Sequence, residues 1–148
     1  MSVSLNNLAQ LLKATNRLAE AEPLMRRSLD IDEASLGPAH PRVAVRLNNL
    51  ARLLHDTKRL AEAEPLMRRS LEIDEASFGP DHPDVAIDLN NLARLLQETN
   101  RLAEAEPLIR RALETFRDSF GAEHPHTRTV AGNYLRLREE MEGAEGAS

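Results

Sequence analysis

Cysteine and tryptophan are both missing from the 148 residues, and aromatic side chains make up only 3%, one tyrosine and three phenylalanines. Without cysteine there is no disulfide, no thiol nucleophile and no cysteine-based zinc site, and the composition fits a reducing compartment. With so few aromatics, a core must be assembled from Leu, Ala, Ile, Val and Met. No stretch approaches the roughly 20 apolar residues that a membrane-spanning helix needs. The opening MSVSLNNLAQLLKATN lacks the basic start and unbroken apolar run of a secretory signal, so a cytoplasmic location is expected. A basic excess is lacking too: the net charge of −5 disfavours non-specific binding to nucleic acid. No Gly-rich dinucleotide or phosphate loop occurs. The 41% hydrophobic and 29% charged residues are ordinary for a folded protein and argue against disorder.

What the chain does have is a 42-residue period. Leu5-Asn6-Asn7-Leu8-Ala9 returns at 47–51 and at 89–93, and RLAEAEPL recurs at 17–24, 59–66 and 101–108. Residues 5–46 and 47–88 share 32 identities, and 47–88 and 89–130 share 26, too many for chance alignment. A fixed period in this range signals a stack in which each repeat buries its apolar face against its neighbours.

Within one repeat the pattern resolves into two helices. Pro41 and Pro83 sit where a first helix begins, because proline in the first turn sacrifices no backbone hydrogen bond. From Pro41, Val43, Leu47, Leu50, Ala51 and Leu54 recur at helical spacing up to about Asp56. A second helix begins near Arg59, carries Leu60, Ala63, Leu66, Met67, Leu71 and Ile73 inward, and stops at Phe78-Gly79-Pro80. There, glycine is expected to supply a left-handed cap. Pro23, Pro65 and Pro107 fall inside the second helices, where a kink or a loosened first turn is expected. Between the helices of a pair stand Asn16, Lys58 and Asn100, in a turn that calls for a left-handed residue. Asparagine tolerates that conformation better than lysine.

These residues resemble the tetratricopeptide repeat, in the longer form found in kinesin light chains and many bacterial arrays. Small residues recur at Ala9, Ala21 and Ser28, at Ala51, Ala63 and Ser70, and at Ala93, Ala105 and Ala112. Large ones recur at Leu5, Leu8, Leu12, Leu18 and Met25 and their counterparts, and GPxHP loops join the repeats at 37–41 and 79–83, with GAEHP at 121–125. The resemblance implies an all-α, right-handed α-solenoid of antiparallel helix pairs, with seven helices including a C-terminal capping helix. The solenoid would occupy 1–142, with repeats at about 1–40, 41–82 and 83–124, the capping helix at 125–142 and a flexible tail at 143–148. The first helix lacks the His-Pro start of its counterparts and begins abruptly at Met1. That suggests a slice of a longer array, or a first repeat whose apolar face meets another chain.

The family lines its concave side with the first helices. By that resemblance the groove-facing residues are Asn6, Gln10 and Lys13, then Asn48, Arg52 and His55, then Asn90, Arg94 and Gln97, with Arg136 from the capping helix. Apolar Val3, Val45 and Ile87 border them, and Asp56, Glu98 and Glu139 bring acid nearby. Asparagine is a mediocre helix former, so two in succession call for a reason. The row Asn6, Asn48, Asn90 leans to gripping a peptide backbone through amides that both donate and accept. The row Asn7, Asn49, Asn91 leans to bonding between neighbouring helices and setting the stack. The arginine row either attracts carboxylates or is simply a solvated face. The terminal-carboxylate clamp of some family members does not carry over, because Asn6, Asn48 and Ile87 stand where it wants cations in part.

His40, His82 and His124 recur one per repeat, too far apart to share a metal ion; capping the next helix or packing the loop is their expected job. No nucleophile, base and oxyanion donor converge. No catalytic, cofactor-binding or metal-binding residue is assigned. The expected function is a non-catalytic protein–protein interaction module holding a peptide or partner helix in its concave groove. The alternative is a structural or self-associating scaffold, acting through the uncapped N-terminal repeat, as a fragment of a longer array or an engineered consensus-like protein.

Overall fold

Seven α-helices follow one another in the computed structural model, which describes residues 2–15 and 17–146: α1 Ser2–Ala14, α2 Leu18–Leu36, α3 Pro41–Asp56, α4 Leu60–Phe78, α5 Pro83–Glu98, α6 Leu102–Phe120 and α7 Pro125–Gly146. No strand occurs among the described residues. The first helix of each pair has 16 residues in α3 and α5, and the second has 19 throughout. Met1, Asn16, Ala147 and Ser148 lie outside the described residues, so the abrupt start at Met1, the left-handed turn at Asn16 and the end of the tail are not described. Helix α7 runs to Gly146 rather than ending at 142.

Contacts gather into two compact units, one reaching to Ser77 and one starting at Phe78. In the first unit α1 packs on α2 and α2 on α3; in the second α5 packs on α6 and α6 on α7. The recurring small residues make these approaches: Ala9, Ala21, Ser28, Ala51, Ala63, Ser70, Ala93, Ala105 and Ala112 are all buried. Large aliphatics fill the spaces around them, Met25, Leu47, Leu50 and Leu54 in the first unit and Leu89, Leu92, Leu96 and Ile109 in the second. Serine at the small position also bonds: Ser28 Oγ donates to the Ser2 carbonyl (3.0 Å) and Ser70 Oγ to the Ala44 carbonyl (3.1 Å).

The turns behave as their residue types dictate. Lys58 and Asn100 take φ of 64° and 59°, and the next amide closes the helix end, Arg59 N–H to Leu54 O and Arg101 N–H to Leu96 O, both 2.8 Å. Thr57 and Thr99 hydroxyls reinforce this by donating to carbonyls three and four residues back. The glycines differ from expectation in one respect. Gly37 has φ 90° and ψ 157°, and Gly121 φ 88° and ψ 161°. Both are extended rather than left-handed helical, a region that only glycine occupies without strain.

The internal prolines do not break their helices. The carbonyls they leave unbonded, four residues back, belong to Ala19, Ala61 and Ala103, all exposed in the first turn where water satisfies them. That first turn is loosened, since Arg59 O receives both Glu62 N–H (3.2 Å) and Ala63 N–H (3.1 Å). The loop histidines cap the following helices: His40, His82 and His124 each accept, through Nδ1, the backbone N–H two residues on at 3.0–3.1 Å. Phe78 and Phe120 stack on His82 and His124 with ring centroids 4.6 and 4.5 Å apart.

Ion pairs bind the second helices to their neighbours. Arg59, at the head of α4, bonds Glu22 of α2 as well as its own Glu62. Partial burial tends to raise the Glu22 carboxyl, but the guanidiniums of Arg59 and Arg26 outweigh this and hold it below the usual carboxylate range. Deeper, Arg46 of α3 and Asp32 of α2 form a buried pair at 2.9 Å.

Candidate functional site

The first helix of each pair presents one row of side chains every turn, and the structure gives those rows different jobs. In the first unit Asn6 is buried, 8% exposed, and its Oδ1 accepts from Asn49 Nδ2 at 3.3 Å. The second unit repeats the arrangement: Asn90 Oδ1 accepts from Asn133 Nδ2 at 3.4 Å. An amide at the first position of one helix is thus met by the amide at the second position of the helix one repeat on. Asn6 and Asn90 engage the stack through these oxygens. Asn48 is half-buried on α3 and also has a partner.

The next rows are more open. Gln10 is half-buried and Arg52 exposed, and Arg52 has no partner among the described residues. One turn on, Lys13 pairs with Asp56 at 3.2 Å, while His55 is half-buried. In the second unit Arg94 is exposed and likewise without a partner among the described residues. Arg136, on α7, donates to Asn133 Oδ1, and Gln97 Nε2 donates to Glu140 Oε1 at 2.9 Å.

These second-unit residues enclose a cleft of about 260 Å³ between α5 and α7, lined by Arg94, Gln97, Glu98, Asn133, Arg136 and Glu140. Three of the expected positions, Arg94, Gln97 and Arg136, meet there. Asn6, Gln10, Lys13, Asn48, Arg52 and His55 belong to the first unit and do not. Asn133 and Glu140 went unassigned in the sequence, although the period holds the clue: they stand 42 residues after Asn91 and Glu98. At the asparagine pair the last repeat reads Gly132-Asn133, which hid the surviving amide.

The cleft is polarised along the helix axes. The Asn133 amide lies at one end, the guanidiniums of Arg94 and Arg136 follow, and Glu98 and Glu140 lie at the other end, where Gln97 bonds Glu140. It can bind charged and hydrogen-bonding groups, but it contains no nucleophile beside a base. Among the described residues no group of three His, Asp or Glu is placed to hold a metal ion, and no helix is long and apolar enough to cross a membrane.

The tetratricopeptide repeat model matches the chain three times in overlapping frames, at residues 1–76, 47–118 and 89–147. No curated protein matches it. Among solved structures, the chain is similar to a Podosopora anserina protein assigned as kinesin light chain with nearly identical TPR-like repeats. That match has a TM-score of 0.87 and 22% identity, covering 97% of this chain and 68% of the other. It is also similar to BtubC (BKLC) from P. vanneervenii, with a TM-score of 0.77 and 20% identity over 96% of this chain and 65% of that one. A third likeness is to SycD, the type III secretion translocator chaperone of Yersinia enterocolitica, with a TM-score of 0.73 and 15% identity over 94% and 84% of the two chains. At these identities the likeness establishes the fold, an all-α solenoid of tetratricopeptide type. The 42-residue period, the helix pairs, the buried small residues and the family model agree, and the chain belongs to the tetratricopeptide repeat family.

Proposed function

We propose that the chain is a non-catalytic protein-interaction module that holds an extended peptide against its first helices. The observation that carries this reading is an open arginine that recurs at one position of the first helices. On the second helices and just before them, Arg26, Arg59, Arg68, Arg69, Arg101 and Arg110 are tied to carboxylates, while Arg27 and Arg117 are exposed without a side-chain partner among the described residues. On the first helices Arg52 and Arg94 project into solvent with no partner among the described residues. Arg52 and Arg94 stand 42 residues apart at the same position of successive first helices, so each of these helices offers an open cation that a bound peptide can meet. Asn48, Asn90 and the half-buried Gln10, His55 and Gln97 add donors and acceptors to the same faces. The cysteine-free composition supports a cytoplasmic setting for this role.

Panning a displayed peptide library against the whole protein tests it. Enriched peptides should lose about five- to tenfold in affinity on Arg52→Gln or Arg94→Gln, the effect of one charge-assisted hydrogen bond. Melting temperature should stay unchanged, since both side chains are exposed. Enriched peptides indifferent to both substitutions would remove the first helices from the site.

A second reading is self-association through α1, favoured by Leu8 and Leu11, which are 46% and 60% exposed. Their counterparts Leu50, Leu53, Leu92 and Leu95 are completely covered. Light scattering that shows a mass rising with concentration would support it, and a constant monomer mass would exclude it.

A further inference from the structure

We infer that the α5–α7 cleft receives a charge-alternating peptide, with an acidic group between Arg94 and Arg136 and a basic side chain one helical turn along at Glu140. This rests on the reading of the first helices as a peptide-binding surface and gives that surface a ligand chemistry.

The size of the cleft comes first. At about 260 Å³ it accommodates side chains of an extended segment. A partner helix, roughly 10–12 Å across, would not enter. Charge then decides what those side chains are. Arg94 has no partner among the described residues, and Arg136 is oriented by Asn133 Oδ1, which uses only part of its five-donor fork. Two guanidiniums thus line one cleft, and a bound carboxylate would accept paired, charge-assisted hydrogen bonds from them.

The far end has the opposite sign. Glu140 receives Gln97 Nε2 on Oε1, and its Oε2 has no partner among the described residues. Arg136 turns to Asn133, three residues back, and not to Glu140, four residues on. The two charges on α7 therefore stay separate and available.

Spacing links them. Four residues of helix advance about 6 Å. Two residues of extended chain advance about 6.6 Å and return the side chain to the same face. An acidic and a basic residue separated by one other match that step. A polyanion such as phosphate-rich nucleic acid does not, because its second charge would meet Glu140.

The test uses the whole protein and blocked, fluorescently labelled seven-residue peptides in an alanine–serine background, followed by anisotropy. One set carries aspartate and lysine separated by one residue, in both orders; a second carries either charge alone. A third replaces the aspartate by a free C-terminal carboxylate, which separates a side-chain acid from a chain end as the source of the anion. One charge order should bind about tenfold or more tighter than its reverse and than either single charge. Arg94→Gln should erase the advantage of the acid and leave that of the base, and Glu140→Gln should do the converse, with circular dichroism unchanged in both. Equal binding of both orders, full affinity from the acid alone, indifference to both substitutions, or no binding of any peptide overturns the inference. Library peptides that respond to Arg52→Gln but not to Arg94→Gln or Glu140→Gln would overturn it while leaving the broader interaction role standing.

Discussion

Single residues show where near-identical repeats tolerate variation and where they are strained. Ser28 and Ser70 use their buried hydroxyls on a neighbouring carbonyl, yet the third repeat has Ala112 in that place and is equally close-packed. The size of the side chain is therefore the fixed requirement, and the hydrogen bond is an addition. Lys58 is the opposite case, a residue of the wrong type in a fixed conformation. Its φ of 64° matches that of Asn100, 59°, but its side chain cannot support the left-handed backbone locally as asparagine does. Lys58→Asn should raise stability by about 0.5–1 kcal/mol, read as a higher urea midpoint with an unchanged slope. A lower midpoint would mean that the lysine makes a compensating contact. The asparagine rows show the limit of sequence reading at this scale. Asn6 and Asn7 are identical in type and one position apart, about 100° around the helix. Only the packing of α3 against α1 determines that Asn6 Oδ1 is the atom facing Asn49.

Elements were the most legible part of the chain, because each boundary has a local chemical cause. Proline after histidine begins α3, α5 and α7, and a left-handed residue after threonine ends α3 and α5. The far end of α7 was not legible. The tail at 143–148 is small and polar and reads as flexible, but one glycine costs a helix only about 1 kcal/mol, and the helix reaches Gly146. Between elements, the buried Arg46–Asp32 pair couples α3 to α2. The positions 84 residues later hold Phe116 and Val130, both buried and apolar. The fold thus accepts either solution at this junction. Arg46→Ala or Asp32→Ala alone should cost about 3–5 kcal/mol, because each strands a buried charge. The joint change Asp32→Phe with Arg46→Val should recover most of that loss. Urea unfolding of the two single variants and the double variant closes the cycle. A double variant as unstable as the sum of the singles would show that the second unit's solution does not transfer.

For the molecule as a whole, a repeat array divides its stability among neighbours, so the same residue should be worth different amounts in different copies. Leucine at the eleventh position of the period tests this with chemistry held constant. Leu53 on α3 is fully buried and Leu11 on α1 is 60% exposed, although the surrounding sequences are nearly the same. Composition and periodicity assign them one role, and only the covering neighbour separates them. Leu53→Ala should cost about 2–5 kcal/mol, and Leu11→Ala less than about 0.5 kcal/mol. The melting temperature supplies the second arm of the measurement. If the α1 surface joins two copies, the wild-type melting temperature rises with protein concentration, and Leu11→Lys abolishes that rise without lowering the low-concentration value. A cost at Leu11 equal to that at Leu53, at a concentration where the protein is monomeric, would show that α1 is covered in solution by something within its own chain. That result would remove the basis for self-association and leave the peptide-binding role as the sole reading of the first helices.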